Sequence, residues 1–514
     1  MITDRLDHAR RSVPAILAII GFAILAILLT SWDSYLYDLW QHHDVIWFYA
    51  CGKAWMNGMT PYVDFADSKG PLLWLIYGIG YLLSPHDYVG CFWIACVLYA
   101  VIFYYCYKCA LIFTRDVRLS LVAVILSALF FLSYFTHIEV RTEDFCYPAM
   151  LAVLYRFMRH TFLHEESRRF ARQSAIVLGV AFGYTFLIKY SCTLMLAIFI
   201  PYFCIVVPSR CSYSVWRAIG WCALACVLTV LPMVIVLAVQ GCLSEFINEY
   251  FLVTASTFDN MNGTWITARG VLKMFLGKRL AIFSLLMIAG MVLYLMRATT
   301  HRIWAVLAFI WFLAVIMLNG TDAIYFNVLS VFTVLFAGII AQLLGRWFHH
   351  WAVILPLAIA VLAALFYMTD RSSLFNSRTP QQDAWYYYAT LMQQYDQPRT
   401  LYLMCHDHGE GVPSEALPAC KYWSLQVGHT QEMLDDQLDA VKQQRSDVVF
   451  VMSDNAEMVA LLDATGYHRY DFTDAGIGDK QYPRYLLYSR RPLDTKDFKV
   501  PSPTDILLKR HKLS

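Results

Sequence analysis

The chain has 514 residues, of which 59% are hydrophobic and only 15% are charged. Soluble domains carry about 25% charged residues, so this composition excludes an ordinary soluble protein. Long apolar runs and a mean hydropathy of +0.49 instead indicate a polytopic membrane protein. The net charge of +2 and the lack of a Lys/Arg tract argue against a nucleic-acid partner.

The N-terminal segment combines a basic flank with an apolar run. Arg5, Arg10 and Arg11 precede the run from Val13 to Thr30. This run is too long for the core of a signal peptide, and no small-residue cleavage site follows it. We therefore expect a first transmembrane helix that the mature protein retains.

Eleven apolar runs have the length of a membrane span. They cover about 13–31, 89–113, 119–136, 146–160, 174–188, 190–207, 215–239, 278–296, 302–319, 324–344 and 351–368. A further run, 71–83, is too short for a span and is typical of a helix at the membrane surface. With this assignment, the loops on the same side of the membrane as the N-terminus carry twice as many Lys and Arg residues as the loops on the other side. An excess of Lys and Arg marks cytoplasmic loops, so the N-terminus is predicted to be cytoplasmic. The sequence predicts eleven spans, a cytoplasmic N-terminus and an external C-terminus.

Residues 370–514 are polar and predict a small extracytoplasmic α/β domain, which follows a transmembrane domain of residues 1–369. The pattern predicts strands at 400–405, 447–452 and 485–488 and a helix at 456–464 that Gly466 ends. This domain has no glycine-rich phosphate loop and no evident catalytic constellation, so we expect a lid or a docking surface. A Cys405–Cys420 disulfide is predicted for an oxidising compartment.

The first external loop carries most of the candidate functional residues. Its motifs are Asp44, then Gly58-x-x-Pro61-Tyr62-x-Asp64, then Asp67-x-Lys69-Gly70-Pro71. The second external loop adds Glu143 and Asp144, and Lys189 and Arg269 lie in or beside later external segments. Ionisable groups are costly near lipid, so such a cluster indicates a function. We expect these loops to converge at one membrane face.

These motifs resemble those of the GT-C glycosyltransferases, in the group that includes protein O-mannosyltransferases and aminoarabinose transferases. Bacterial members commonly show an aspartate, G-x-x-P-Y-x-D and D-x-K-x-P in this order, and Glu143-Asp144 matches the place of a second acidic motif. The motifs match over about residues 1–200 and the architecture over 1–370. Asp44 is followed by Val45 rather than by Glu, and the tail lacks a Trp-Trp-Asp-Tyr-Gly motif. These departures leave the donor sugar and the acceptor open.

The resemblance implies inverting transfer of a hexosyl or pentosyl group from a polyprenyl-phosphate donor to a glycan, lipid or protein acceptor. The reaction would take place on the extracytoplasmic face of a bacterial inner membrane. Asp44 would be the general base, because an acceptor hydroxyl is a weak nucleophile. Glu143 and Asp144 would orient the acceptor or hold a cation.

The remaining candidates are assigned to substrate binding. They are Tyr62, Asp64, Asp67, Lys69, Lys189 and Arg269, and one of the three cations, Lys69, Lys189 or Arg269, is expected to face the lipid phosphate that leaves. No metal site is assigned, although His42-His43 beside Asp44 leaves a divalent cation open as a cofactor.

Each candidate also has a structural interpretation. Asp44 suits a helix start, Asp64 and Asp67 suit a turn, and Glu143 and Asp144 suit a helix cap. Two other functions stay open: a transporter or flippase of a lipid-linked or polar substrate, and a non-catalytic scaffold of envelope glycan synthesis. Charges that cluster outside the membrane, without a visible repeat, argue against transport.

Overall fold

The computed structural model describes residues 13–31, 34–36, 43–132, 140–253, 281–298, 300–319, 328–343, 345, 351–368, 384–403, 411–412, 414–424, 430–471 and 485–495. Its contacts divide the chain into two compact units. Unit 1 comprises Met1–Ser31, Ile94–Val234 and Trp265–Asp370, and unit 2 comprises Trp32–Trp93, Ile235–Thr264 and Arg371–Ser514. Unit 2 thus joins the first loop, a middle segment and the C-terminal region, while a domain boundary at residue 369 stays a prediction.

Helices make up most of the described residues before the C-terminal region. In chain order they are α1 (Val13–Thr30), α2 (His43–Met56), α3 (Pro71–Leu83), α4 (Val89–Thr114), α5 (Val117–Phe131), α6 (Thr142–Leu163), α7 (Arg168–Phe186), α8 (Tyr190–Leu196), α9 (Phe199–Arg210), α10 (Val215–Val239), α11 (Leu243–Ile247), α12 (Ala281–Arg297), α13 (Arg302–Asn319), α14 (Ser330–Leu343) and α15 (Trp351–Met368). Every apolar run named above falls on one or two of these helices.

The helices that could span a membrane are fewer than the apolar runs. Within the described residues, α1, α4 and α10 are long and apolar enough, and α8 with α9 forms a fourth candidate. The run at 190–207 was predicted as one span, but α8 and α9 are bent by 46°. Pro201 lacks the N–H that a continuous helix needs, and a π-helical turn, Tyr202–Val206, follows it. The count of eleven spans stays a prediction.

Small residues let the helices of unit 1 approach closely. A Cβ atom on Gly179 of α7 would lie 2.1 Å from the carbonyl oxygen of Cys222 in α10. A Cβ atom on Gly290 of α12 would lie 2.6 Å from the Cβ atom of Phe336 in α14. Small residues at helix interfaces are typical of membrane bundles, where close packing replaces the hydrophobic driving force.

In unit 2 the first loop folds into the helical hairpin α2–α3. The two helices cross at glycines: a Cβ atom on Gly52 would lie 2.4 Å from the amide nitrogen of Gly78. The helix α3 spans Pro71–Leu83, which matches the predicted surface helix, and it begins with proline at its first position. The backbone between α2 and α3 turns at Gly58, whose φ of +85° suits glycine.

The C-terminal region of unit 2 is a mixed α/β structure. Helices α16 (Ala384–Met392), α17 (Gln431–Lys442) and α18 (Ala456–Ala464) accompany the strands β1 (Arg399–Leu403), β2 (Leu417–Pro418), β3 (Val448–Met452), β4 (His468–Tyr470) and β5 (Tyr485–Ser489). The sheet order is β2-β1-β3-β5-β4, parallel from β2 to β3 and antiparallel from β3 to β4. The predicted strands and the helix at 456–464 are present, and Gly466 adopts a φ of +81° behind α18.

A polar network centred on Glu415 fastens this α/β structure to the α2–α3 hairpin. The hydroxyl of Tyr81 on α3 donates to the carboxylate of Glu415 at 2.9 Å. Gln397 donates to the same carboxylate at 3.2 Å and to the side-chain oxygen of Asn57 at 3.1 Å. His86 Nδ1 lies 3.4 Å from the other oxygen of Glu415. Within unit 2, the C-terminal region therefore packs on the first loop.

Candidate functional site

The turn between α2 and α3 is closed by its own aspartate. The Asp64 carboxylate accepts a hydrogen bond from the backbone N–H of Thr60 at 2.7 Å, and the backbone N–H of Asp64 donates to the Thr60 carbonyl at 2.9 Å. The Asp64 side chain is exposed. This is the geometry of an aspartate that stabilises a turn, so the structure supports the structural interpretation of Asp64.

Tyr62 fixes the segment that follows the turn. Its hydroxyl donates to the carbonyl of Lys69 at 2.9 Å, and its ring lies 4.5 Å from the ring of Trp74. The side chain is fully buried and the backbone φ is +64°. Burial raises the pKa of the Tyr62 phenol well above its usual value, so the hydroxyl stays a donor. In this structure Tyr62 positions Lys69, and its contact with a substrate stays a prediction.

Asp67 and Lys69 form a charged pair in which one of the two carboxylate oxygens of Asp67 accepts no hydrogen bond from the described residues. Oδ1 of Asp67 accepts from the backbone N–H of Ser68 at 2.6 Å and lies 3.8 Å from Nζ of Lys69. Oδ2 is buried and has no hydrogen-bond partner among the described residues. A buried carboxylate oxygen is costly to leave unsatisfied. The arrangement can therefore accept a donor from a ligand, while Lys69, whose side chain is 24% exposed, can face an anion.

The helix α2 carries Asp44 one helical turn before Phe48, the residue that Lys69 contacts. Asp44, Trp47 and Phe48 stand at positions i, i+3 and i+4, so they are neighbours about 5–6 Å apart at Cβ. Nζ of Lys69 lies 5.6 Å from the centre of the Phe48 ring, within cation–π range. Asp44 itself is exposed in the first turn of α2. A solvent-accessible carboxylate thus stands one helical turn from the residue that a cation contacts, and base-assisted displacement of an anionic leaving group needs groups of both kinds.

The C-terminal region contributes to this part of unit 2, which the sequence did not predict. The ring of Trp423 lies 5.6 Å from the ring of Trp47, and the carbonyl of Lys421 accepts from the backbone N–H of Ala66 at 3.0 Å. Lys421 also pairs with Glu249, which is buried and lies on the π-helical turn Asn248–Val253. A carboxylate in a largely apolar stretch, Phe246 to Val253, was the available signal for Glu249.

Glu143 and Asp144, the second acidic motif, lie in unit 1 and make different contacts. The carboxylate of Asp144 accepts from the backbone N–H of Arg141 at 3.0 Å, which caps α6. Glu143 forms an ion pair with Lys189, the residue that precedes α8. The side chains of this pair are only 8% and 14% exposed. The structure thus brings the candidates Glu143 and Lys189 together and gives Asp144 the capping geometry.

Some candidates lie outside the described residues. These are Arg269, His42 and Cys405, so the phosphate contact of Arg269, a cation at His42-His43 and the Cys405–Cys420 disulfide stay predictions. Cys420 is buried. Among the residues that the structure describes, no three His, Cys, Asp or Glu side chains group together as metal ligands would.

Comparisons with known proteins identify solved structures with a similar fold. No protein-family model matches the chain, and no curated protein matches it in sequence. The crystal structure of ArnT from Cupriavidus metallidurans bound to undecaprenyl phosphate matches with a TM-score of 0.60 at 12% identity, over 93% of this chain and 98% of that chain. The apo structure of ArnT from Cupriavidus metallidurans gives a TM-score of 0.57 at 12% identity, over 92% and 97%. At this identity the likeness concerns the fold alone: the chain has the polytopic membrane fold of ArnT, a GT-C glycosyltransferase, which confirms at the level of the fold the resemblance seen in its motifs.

Proposed function

We propose that the chain is an integral membrane glycosyltransferase that moves a sugar from a polyprenyl-phosphate donor to an acceptor on the extracytoplasmic face. The observation that carries the proposal is the spacing on α2, where exposed Asp44 stands one helical turn from Phe48, the residue that Lys69 contacts. The fold of the ArnT structures supports it, since one of them holds undecaprenyl phosphate. Together they favour transfer chemistry over a purely structural loop.

In this proposal Asp44 is the general base that takes the proton from the acceptor hydroxyl. The oxygen attacks the anomeric carbon while the bond to the lipid phosphate breaks, so the configuration at that carbon inverts. Lys69 stabilises the negative charge that develops on the departing phosphate. Asp67 keeps Lys69 in place through Oδ1 and offers Oδ2 to a substrate hydroxyl.

An apolar groove in unit 1 supports a lipid-linked donor. Its volume is about 330 Å³, it is lined by apolar side chains of α7 and α10, and it reaches Thr193 of α8. Thr193 lies one turn beyond Lys189, which pairs with Glu143. An apolar groove of this kind is suited to a hydrocarbon chain, so we propose it as a place where unit 1 can hold the polyprenyl chain of a donor.

One observation favours the transport alternative. The helices α8 and α9 are broken at 46°, and Lys189 stands at the start of the pair. Transporters use such discontinuous helices to hold anionic substrates at their N-terminal ends. Movement of a fluorescent polyprenyl-phosphate sugar across proteoliposomes, without sugar transfer, would favour this function instead.

The first test is sugar release from a panel of radiolabelled polyprenyl-phosphate sugars by the purified protein in lipid nanodiscs. A total membrane-lipid extract serves as the source of acceptor. We expect turnover of one donor, and loss of turnover in Asp44→Asn, which keeps the shape of the side chain but cannot accept the proton. Asp435→Asn, an exposed carboxylate on α17, is the matched control and should behave as wild type.

Full activity of a correctly folded Asp44→Asn variant would remove Asp44 from the mechanism. Failure of every donor with folded wild-type protein would remove the transferase assignment. Inversion is tested separately, by comparing the anomeric configuration of the product with that of the donor.

A further inference from the structure

Glu249 is a buried carboxylate that two residues of the C-terminal region share. Nζ of Lys421 lies 2.6 Å from Oε1 of Glu249, and the hydroxyl of Tyr422 donates to the same oxygen at 3.0 Å. Glu249 is only 3% exposed. Burying a carboxylate is costly unless it is paired and hydrogen-bonded, so this contact depends on both partners. Burial and the neighbouring Glu249 raise the pKa of Tyr422, which keeps its hydroxyl a donor.

The two residues that hold Glu249 also hold the segment that carries Asp67 and Lys69. We call residues 62–69 the Lys69 arm. The backbone N–H of Ala66, next to Asp67, donates to the carbonyl of Lys421 at 3.0 Å. The Ala66 side chain lies in a buried cluster with Tyr422 and Met433. We therefore expect any shift of Lys421 and Tyr422 to displace the arm at Ala66, which is directly beside the Asp67–Lys69 pair.

The helix that precedes Glu249 contacts the other end of the arm. The ring of Phe246 lies 5.3 Å from the ring of Tyr62 and 5.3 Å from that of Tyr250. Tyr62 in turn holds the Lys69 carbonyl through its hydroxyl. The arm is thus held at its start by the segment that carries Glu249 and in its middle by Lys421.

We propose that Glu249 is a positioning residue that fixes the Lys69 arm by binding Lys421 and Tyr422 of the C-terminal region. The C-terminal region is then a part of the site rather than a detached lid. The action of Lys69 on a lipid phosphate rests on the proposed function. The link from Glu249 through Lys421 to the arm is independent of that function. The π-helical turn that carries Glu249 agrees with such a role, since π-turns are frequent at functional sites.

The first experiment measures hydrogen exchange on the full chain in nanodiscs, without any substrate. Glu249→Gln keeps an acceptor for Tyr422 but loses the charge that binds Lys421. We expect the amides of residues 62–69 to exchange about tenfold faster than in wild type, while those of α18 keep their rate. Tyr422→Phe removes one hydrogen bond only and should give a smaller change in the same direction. Asp435→Asn, an exposed residue of α17 whose side chain accepts only from Gln431 among the hydrogen bonds described, is the control and should change neither segment.

Unchanged exchange of the arm in a folded Glu249→Gln variant would overturn the proposal. So would equal acceleration over the arm and α18, because it would indicate general loosening of the C-terminal region.

The second experiment is a double-mutant cycle on sugar transfer with Lys69→Met. If Glu249 acts through Lys69, Glu249→Gln lowers kcat in the wild-type background and causes no further loss in Lys69→Met. A residue that only stabilises the fold would reduce kcat by the same factor in both backgrounds, and this result would overturn the proposal. If wild-type protein transfers no sugar at all, the proposed function fails, and the exchange experiment still decides the link.

Discussion

Removing Lys189 tests whether its ion pair with Glu143 holds unit 1 together. In Lys189→Met the Glu143 carboxylate, whose side chain is 8% exposed, loses its cation. Breaking a buried pair on one side costs about 3–5 kcal/mol, because it leaves an uncompensated charge. The Lys189 side chain is 14% exposed and keeps some solvent, so we expect a loss at the lower end, about 3 kcal/mol in the free energy of unfolding.

The matched control replaces both partners. Glu143→Met/Lys189→Met carries no charge at this position, and replacing a whole buried pair by apolar groups of similar volume is often neutral or stabilising. We expect its stability to return to within about 1 kcal/mol of wild type. The assay is denaturant unfolding of the purified protein in mixed micelles, followed by tryptophan fluorescence.

Two results would refute this reasoning: a Lys189→Met variant as stable as wild type, or a double variant as unstable as the single one. The same proteins also separate structure from function. If either residue of the pair also acts on the substrate, as the sequence predicts, the double variant regains stability but not sugar transfer. Recovery of both would make the pair purely structural.

Two further substitutions test the packing of the first loop. Gly52→Ala should destabilise unit 2 by about 1–3 kcal/mol, despite the better helix propensity of alanine, because its Cβ atom meets the backbone of Gly78 at 2.4 Å; a rise in the thermal unfolding temperature would contradict it. Tyr62→Phe should cost about 1 kcal/mol by removing the hydrogen bond from the Tyr62 hydroxyl to the Lys69 carbonyl. Faster proteolysis of the loop would report this change, and protection equal to wild type would count against it.

Local sequence patterns predicted the elements but not their long-range partners. The surface helix at Pro71–Leu83, the strands β1, β3 and β5 and the Gly466 cap depend on hydrophobic periodicity, proline and glycine, which act within a few residues. The turn role of Asp64 was likewise open to local reasoning. Patterns of this kind carry no information on which distant residues meet.

The contact of Glu249 with Lys421 shows where such reasoning ends. Each residue, taken alone, is one charge in a loop, and nothing nearby identifies its partner. The break between α8 and α9 was missed for a different reason: hydropathy is continuous across Pro201, so the run at 190–207 has the profile of a span, whereas the missing N–H acts on backbone geometry. The pairing of Glu143 with Lys189 depends in the same way on tertiary contact.

Unit 2 joins segments from the start, the middle and the C-terminal region of the chain, so it can be completed only late in translation. Tyr81 meets Glu415 across 334 residues of chain, and β3 needs β5, Tyr485–Ser489, as its antiparallel neighbour. The α2–α3 hairpin is synthesised early, but its contacts with Glu415 and Trp423 form only after these residues have been made. A nascent chain arrested before residue 485 would lack strand β5, so its strand β3 would miss this antiparallel neighbour. Completion of unit 2 therefore depends on a strand that is made long after the hairpin.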